Sequence, residues 1–279
     1  MSFSTAAVLS YYPKYIYLDK VIADSGKKKI ILYIDLKNCL RSLYIEPFVK
    51  NIINETNRSR HFDISVFTSF LEFVSFHKSW AKKRNIELEM VIFFDQGKSD
   101  YHKKISNEYK GSRDISDMFH MGEEYTQLFF KILTKNYDMI NNVGNKIPGV
   151  TVIRLEYMET DFIPYYLINR VYKNPEDSVH LIYSNDKDFY QVLDKKNIYQ
   201  FIKKPNKTKI LSQQDVYIEY LGSPVHIDVS YMPLFHAING DSGDDITGIK
   251  GIAQKTLLKI SDDLPALVGS MDDVYKNIK

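Results

Sequence analysis

Three apolar runs in this chain each end on an aspartate: KKKIILYID at Asp35, ELEMVIFFD at Asp95 and SVHLIYSND at Asp186. Apolar runs without polar alternation are expected of strands buried on both faces of a parallel sheet. In an open α/β sheet, ligands bind in the crevice outside the carboxyl ends of the strands, so the three acids would meet at one edge. Asp188 follows Asp186 by two residues, and Glu159 and Asp161 stand at the predicted start of a helix. Carboxylates a few ångströms apart cannot all stay ionised unless a cation offsets them. Oxygen donors of this kind favour Mg²⁺ or Mn²⁺ over zinc. Taken singly, each acid reads as an ordinary helix cap or strand-end turn; taken together at one edge, they point to a metal site.

A second acid-rich stretch, GDSGDDITGIKGIAQKT at 240–256, carries Asp241, Asp244 and Asp245. Gly248 and Gly251 flank a tight turn there, followed by a predicted helix with Lys255 and Thr256. Backbone N–H groups exposed at such a helix start hold phosphate without reading a base. Lysines and arginines concentrate at 78–84, 98–113 and 203–209. His102 and His120 lie near the middle cluster without a defined partner and read as structural or solvated.

To bring the acids together, the chain must alternate strands with helices. Helical spacing appears at 63–84, 114–141 and 159–172, and GVTVIRL at 149–155 supplies a fourth strand. That alternation predicts an α/β domain with a mostly parallel central sheet flanked by helices. A hairpin is expected from 197–202 and 208–211 around PNKT. From 213 the pattern changes: QQDVYIEYL, VSYMPLFHAI and QKTLLKI have helical spacing, with no further strongly apolar strand. The expected organisation is an extension at 1–25, the α/β domain at 26–212 and a small helical region at 213–279. Trp80, with Phe73 and Phe76, reads as core, and Cys39 as buried beside the first strand.

Composition sets the frame. With 279 residues, 44% of them hydrophobic and 14% aromatic, the chain buries a core, which excludes a disordered tail or fibrous repeat. The balance of 37 Lys+Arg against 35 Asp+Glu neither demands nor excludes a polyanionic partner. A single cysteine rules out a disulfide framework and a cysteine-based metal site. The start of the chain does not read as a signal peptide and no stretch approaches 18 apolar residues, so a soluble, cytoplasmic protein is expected.

Five stretches together resemble the 5′–3′ exonuclease and flap endonuclease family of phage and bacterial nucleases, which includes the nuclease domain of bacterial DNA polymerase I. They are IDLKNCLR at 34–41, FFDQGKSDYHKKISNEYKGSRD at 93–114, METDF at 158–162, YSNDKDFYQVL at 183–193 and GDSGDDITGIKGIAQKT at 240–256. The resemblance implies a PIN-like, resolvase-like α/β fold and a structure-specific nuclease hydrolysing DNA phosphodiester bonds in replication or repair, with RNA primers as a further substrate. It implies two Mg²⁺ or Mn²⁺ ions, one held by Asp35, Asp95, Glu159, Asp161 and Asp186 and the other by Asp186, Asp188, Asp241 and Asp244. Lys110 and Arg113 match basic residues that steer the scissile phosphate, Lys110 as a point charge and Arg113 as a fork. Residues 97–147 would form a helical arch over the site. Lys103 and Lys104 would line it, and Tyr101 would stack on bases, whereas Phe119 and Tyr125 are spaced with Met118 and Leu128 as core residues. Region 213–279 would be a helix–hairpin–helix that holds the DNA backbone through Gly248, Gly251, Lys255 and Thr256, with K⁺ as a further ion.

The implied partners are DNA with a 5′ flap or 5′ end, an RNA–DNA hybrid and replication proteins, met by a monomer in a bacterial or phage-infected cell. Three positions depart from the family pattern: Phe162 replaces an acid, Leu36 a glycine and Asp245 an asparagine. Two rival readings follow: a junction-binding protein of the same fold with weakened cleavage, and a PIN-type ribonuclease. The 240–256 stretch speaks against the second.

Overall fold

The computed structural model describes residues 16–40, 65–96, 123–204, 207–215, 217–220, 223–226, 240–241 and 246–250, together with Val229, Met232 and Ile238. Strand β1 (Lys29–Asp35) is buried at every position between its ends. Its alternate side chains enter two separate cores, Ile30, Leu32 and Ile34 on one face and Ile31 and Tyr33 on the other, as a strand's period of two requires. It pairs in parallel with β2 (Glu87–Gln96) on one side and β4 (Val179–Tyr183) on the other. β3 (Val150–Glu156) extends the sheet beyond β2, and β5 (Ile198–Lys204) beyond β4. β6 (Lys207–Leu211) closes it antiparallel, giving the order β3-β2-β1-β4-β5-β6. The direction of winding reverses between β1 and β4, so the crevice at their carboxyl ends is the topological switch point.

Helices cover both faces. On the first lie α1 (Ile16–Ser25), α3 (Ser65–Lys83) and α4 (Glu123–Gly144), which contribute Leu18, Phe70, Trp80 and Ile140 to the core. The short α2 (Leu36–Leu40) follows β1 directly and places the Cys39 Sγ 3.7 Å from the Tyr183 carbonyl. On the second face, α5 (Phe162–Tyr166) runs into a π-helical turn at Leu167–Val171. A 3₁₀ turn at Lys187–Val192 completes that cover, with Ile163, Ile168, Phe189 and Val192 buried. Among the described residues no helix is long and apolar enough to cross a membrane.

The predicted strands, the hairpin and the helices at 63–84 and 159–172 are present within a few residues. Three elements differ. Residues 16–25, read as part of an extension, form α1 and bury Leu18 and Val21. Asp19 fixes this helix to α3: it accepts from Trp80 Nε1 at 3.1 Å and pairs with Arg84 at 2.5 and 2.8 Å, while the Arg84 guanidinium lies 5.4 Å from the Trp80 ring centre. β4 ends at Tyr183 and not at Asp186, because Ser184 to Asp186 turn out of the ladder, Ser184 bonding Asp35 at the end of β1 and Asn185 bonding Asn38 on α2. The stretch 213–221, with helical spacing, instead makes a 3₁₀ turn at Gln213–Asp215 and then β7 (Tyr217–Tyr220), paired antiparallel with β8 (Ser223–His226). Tyr217, Ile218 and Tyr220 favour an extended backbone, and over so short a span this outweighs the helical spacing. Of the helix expected at 114–141, residues 123–144 form α4; 97–122 lie outside the described residues.

Candidate metal centre

Asp35 ends β1 with its carboxylate held on both oxygens. Oδ1 accepts the Asn38 backbone N–H at 3.0 Å and Oδ2 accepts the Ser184 hydroxyl at 2.9 Å. Ser184 Oγ in turn accepts the Asp186 N–H at 3.1 Å, and Asp186 Oδ1 accepts the Asp188 N–H at 3.0 Å. Asn38 Oδ1 accepts the Asn185 N–H at 3.0 Å. The loop after β4 is thus stitched to the turn after β1, across the switch point. Gln200, fully buried on β5, anchors the loop from beneath: its Nε2 donates to the carbonyls of Ser184 at 2.9 Å and Asp186 at 2.6 Å.

The remaining acids approach from two other elements. Asp95, near the end of β2, pairs with Lys37 Nζ at 2.9 Å. Asp161 occupies the N-cap position of α5 without making a capping hydrogen bond. Its ligand atom lies within 4.8 Å of those of Asp186 and Asp188. The cap explanation therefore accounts for Asp186, which caps the 3₁₀ turn, and fails for Asp161.

Crowding marks the protonation of the group. Burial, reinforced by Asp35, Asp186, Glu159 and Asp95, pushes the Asp161 carboxyl up to about 8. Burial also raises Asp35, to about 6, with Asp186 and Asp95 adding to the rise and the bonds from Asn38 and Ser184 opposing it. At neutral pH the Asp161 carboxyl thus stays largely protonated while Asp35 ionises later than an ordinary carboxyl; a nearby cation would favour the charged form of both, and an all-oxygen donor set of this kind fits a hard divalent ion. The donors present therefore fit a divalent metal ion.

Five predicted acids, Asp35, Asp95, Glu159, Asp161 and Asp186, thus interact at one sheet edge with Asp188 beside them. Asp241 lies on a separate two-stranded ladder, β9 (Gly240–Asp241) with β10 (Ile246–Thr247). Gly248 follows that ladder, and the next N–H, of Ile249, donates to the Ile238 carbonyl at 2.8 Å. Tyr101, Lys103, Lys104, Lys110, Arg113, Asp244, Gly251, Lys255 and Thr256 lie outside the described residues. Sequence reasoning missed Lys37, Asn38, Ser184 and Gln200. Lys37 and Ser184 carried a signal, since each lies within two residues of a predicted metal-binding acid; Gln200 carried none.

No family model matches the chain. A search of the solved structures finds the bacteriophage T5 D15 protein co-crystallised with metal ions, with a TM-score of 0.56 and 21% identity over 84% of this chain and 74% of that one. The chain has the fold of the T5 5′-exonuclease. A T5 D15 flap endonuclease in a pseudo-enzyme–product complex with DNA and metal ions superposes with a TM-score of 0.55 and 21% identity, again over 84% of this chain and 75% of that one. By sequence, the chain is 28% identical over 202 residues to a 5′-3′ exonuclease of Buchnera aphidicola subsp. Acyrthosiphon pisum, a match covering 72% of this chain and 60% of that protein. It is 28% identical over 132 residues to DNA polymerase I of Caldicellulosiruptor bescii, covering 47% of this chain and 14% of the polymerase. The chain thus spans less than two thirds of the curated relatives it matches. These likenesses agree with the resemblance to 5′–3′ exonucleases and flap endonucleases.

Proposed function

We propose that the chain is a divalent-metal-dependent 5′ nuclease that hydrolyses DNA phosphodiester bonds at 5′ ends and flaps. The observation that carries this is the gathering of Asp35, Asp95, Glu159, Asp161 and Asp186 at the switch point, with the ligand atoms of Asp161, Asp186 and Asp188 within 4.8 Å of one another. Asp35, Asp95, Glu159, Asp161 and Asp186 would hold one ion; Asp186 and Asp188, with Asp241 and Asp244, the second. A pair of bound Mg²⁺ or Mn²⁺ ions supplies a water activated at neutral pH and positive charge for the attacked phosphate. The protein's own part is orientation and protonation. Ser184 and Asn38 fix the Asp35 carboxylate, Gln200 fixes the loop that presents Asp186 and Asp188, and Asp161 keeps its proton until a cation arrives.

Lys110 and Arg113 would meet the scissile phosphate, Lys103, Lys104 and Tyr101 the strand entering the site, and Gly248, Gly251, Lys255 and Thr256 the duplex backbone, with K⁺ as a further ion. Primer removal on RNA–DNA hybrids, alongside replication proteins, is the corresponding role. The replacement of an expected acid by Phe162 favours one rival, a junction-binding protein with weakened cleavage.

A 5′-labelled flap substrate in Mg²⁺ tests the proposal, with a blunt duplex and an Asp186→Ala, Asp188→Ala double variant as controls. Cleavage near the junction that disappears in the variant is the expected result. Tight, salt-dependent binding without cleavage in Mg²⁺ or Mn²⁺ would replace the nuclease by the binding protein.

A further inference from the structure

One face of α5 is buried and the other is aromatic and about half exposed. Ile163 and Pro164 are buried, as is Ile168 in the following turn, whereas Phe162, Tyr165 and Tyr166 are 45%, 48% and 53% exposed. Positions i, i+3 and i+4 share one side of a helix, so the three rings form a single patch. The segment leading into it displays Tyr157, which holds a φ of +58°. That left-handed conformation is costly for a bulky residue, yet the ring it presents stands in solvent. Arg170, also exposed, follows on the π-helical turn.

The patch adjoins the metal centre through the chain itself. Glu159 and Asp161 lie between Tyr157 and Phe162, and Asp161 is within ligand distance of Asp186 and Asp188. A polynucleotide with one phosphodiester at these acids must pass its neighbouring nucleotides over the adjoining surface. Its phosphates are met by cations; rings meet only bases, and only bases whose faces are not already stacked in a duplex.

We propose that Phe162, Tyr165 and Tyr166 form a stacking platform for unpaired bases of a single strand leading from the metal centre. This rests on the nuclease reading for the identity of the occupant and adds where its unpaired bases would stack. It also gives Phe162, an apolar residue where an acid was expected, a task of its own.

The test is fluorescence anisotropy in Ca²⁺ with two labelled strands of equal length, an oligothymidylate and a chain of abasic residues. The expected result is that the wild-type chain prefers the base-bearing strand and that Tyr165→Ala, Tyr166→Ala weakens this binding by about 5-fold or more. Affinity for the abasic strand should be unchanged, and Tyr165→Phe, Tyr166→Phe should retain the preference. Equal wild-type affinity for the two strands, or an equal loss on both in the alanine variant, would overturn the platform. Thermal unfolding checks that each variant is folded. The flap assay separates the two proposals: cleavage without base preference keeps the nuclease and discards the platform, whereas base preference without cleavage does the reverse.

Discussion

Replacing Asp161 by Asn should stabilise the metal-free protein while weakening its response to divalent cations. In the fold, burial and then the charges of Asp35, Asp186, Glu159 and Asp95 push the Asp161 carboxyl up to about 8, from an ordinary value of 3.8. Between those two values the folded chain binds a proton that the unfolded chain does not, so stability from this group is complete at low pH and falls as pH rises through the window. At 1.36 kcal/mol per pH unit, the cost at pH 7 has a ceiling of about 4 kcal/mol. Relaxation and water lower that ceiling, and a gain of about 1–4 kcal/mol is expected for the amide, which has no proton to lose. For a chain of this size that corresponds to a melting point higher by about 2–7 °C. Thermal unfolding in EDTA from pH 5 to pH 8.5 reads it directly: the wild type should lose stability across the range and Asp161→Asn much less. Adding Mn²⁺ should raise the wild-type melting point by mass action and raise the variant's by less. A variant that melts no higher than wild type at pH 8, with the same pH slope, would refute the argument from burial and neighbouring charge.

Three other outcomes follow from particular contacts. Gln200→Leu removes both amide bonds to the loop after β4, leaving buried carbonyls unpaired at a cost of about 1–3 kcal/mol in urea unfolding. It should also weaken Mn²⁺ binding about 10-fold in calorimetry, and unchanged metal affinity would make Gln200 structural only. Lys37→Met frees Asp95 from its ion pair, so Mn²⁺ binding followed by electron paramagnetic resonance should tighten about 2- to 5-fold; weaker binding would mean that Lys37 supports the site instead of competing for it. Leu18→Ala should cost about 2–5 kcal/mol, and a loss below about 0.5 kcal/mol in urea unfolding would show that α1 contributes little to the core.

The parallel sheet and its acidic edge were legible because each depends on a local pattern. A strand buried on both faces has to be apolar along its whole length, and Asp35 and Asp95 mark where burial ends. The sheet direction then carries those acids to one edge whatever the loops do. The helix at 16–25 was not legible, since its apolar stripe is short and its anchor, Asp19, gains meaning only when Trp80 and Arg84 come within reach. The strand at 217–220 was misread for a related reason: in four residues a periodicity of two and one of 3.6 are barely distinguishable, and cross-strand pairing with 223–226 decided the outcome.

The sequence by itself thus determined which groups carry charge and roughly where each strand delivers them. Only the tertiary structure decided how they act on one another. That Ser184 spans from Asp35 to Asp186, that Gln200 reaches two carbonyls 14 and 16 residues away, and that Asp161 caps nothing and faces two other acids are relations between distant segments. The reason is physical: a buried polar group must find its partner in space, and a carboxylate's proton affinity depends on every charge that folding brings near it.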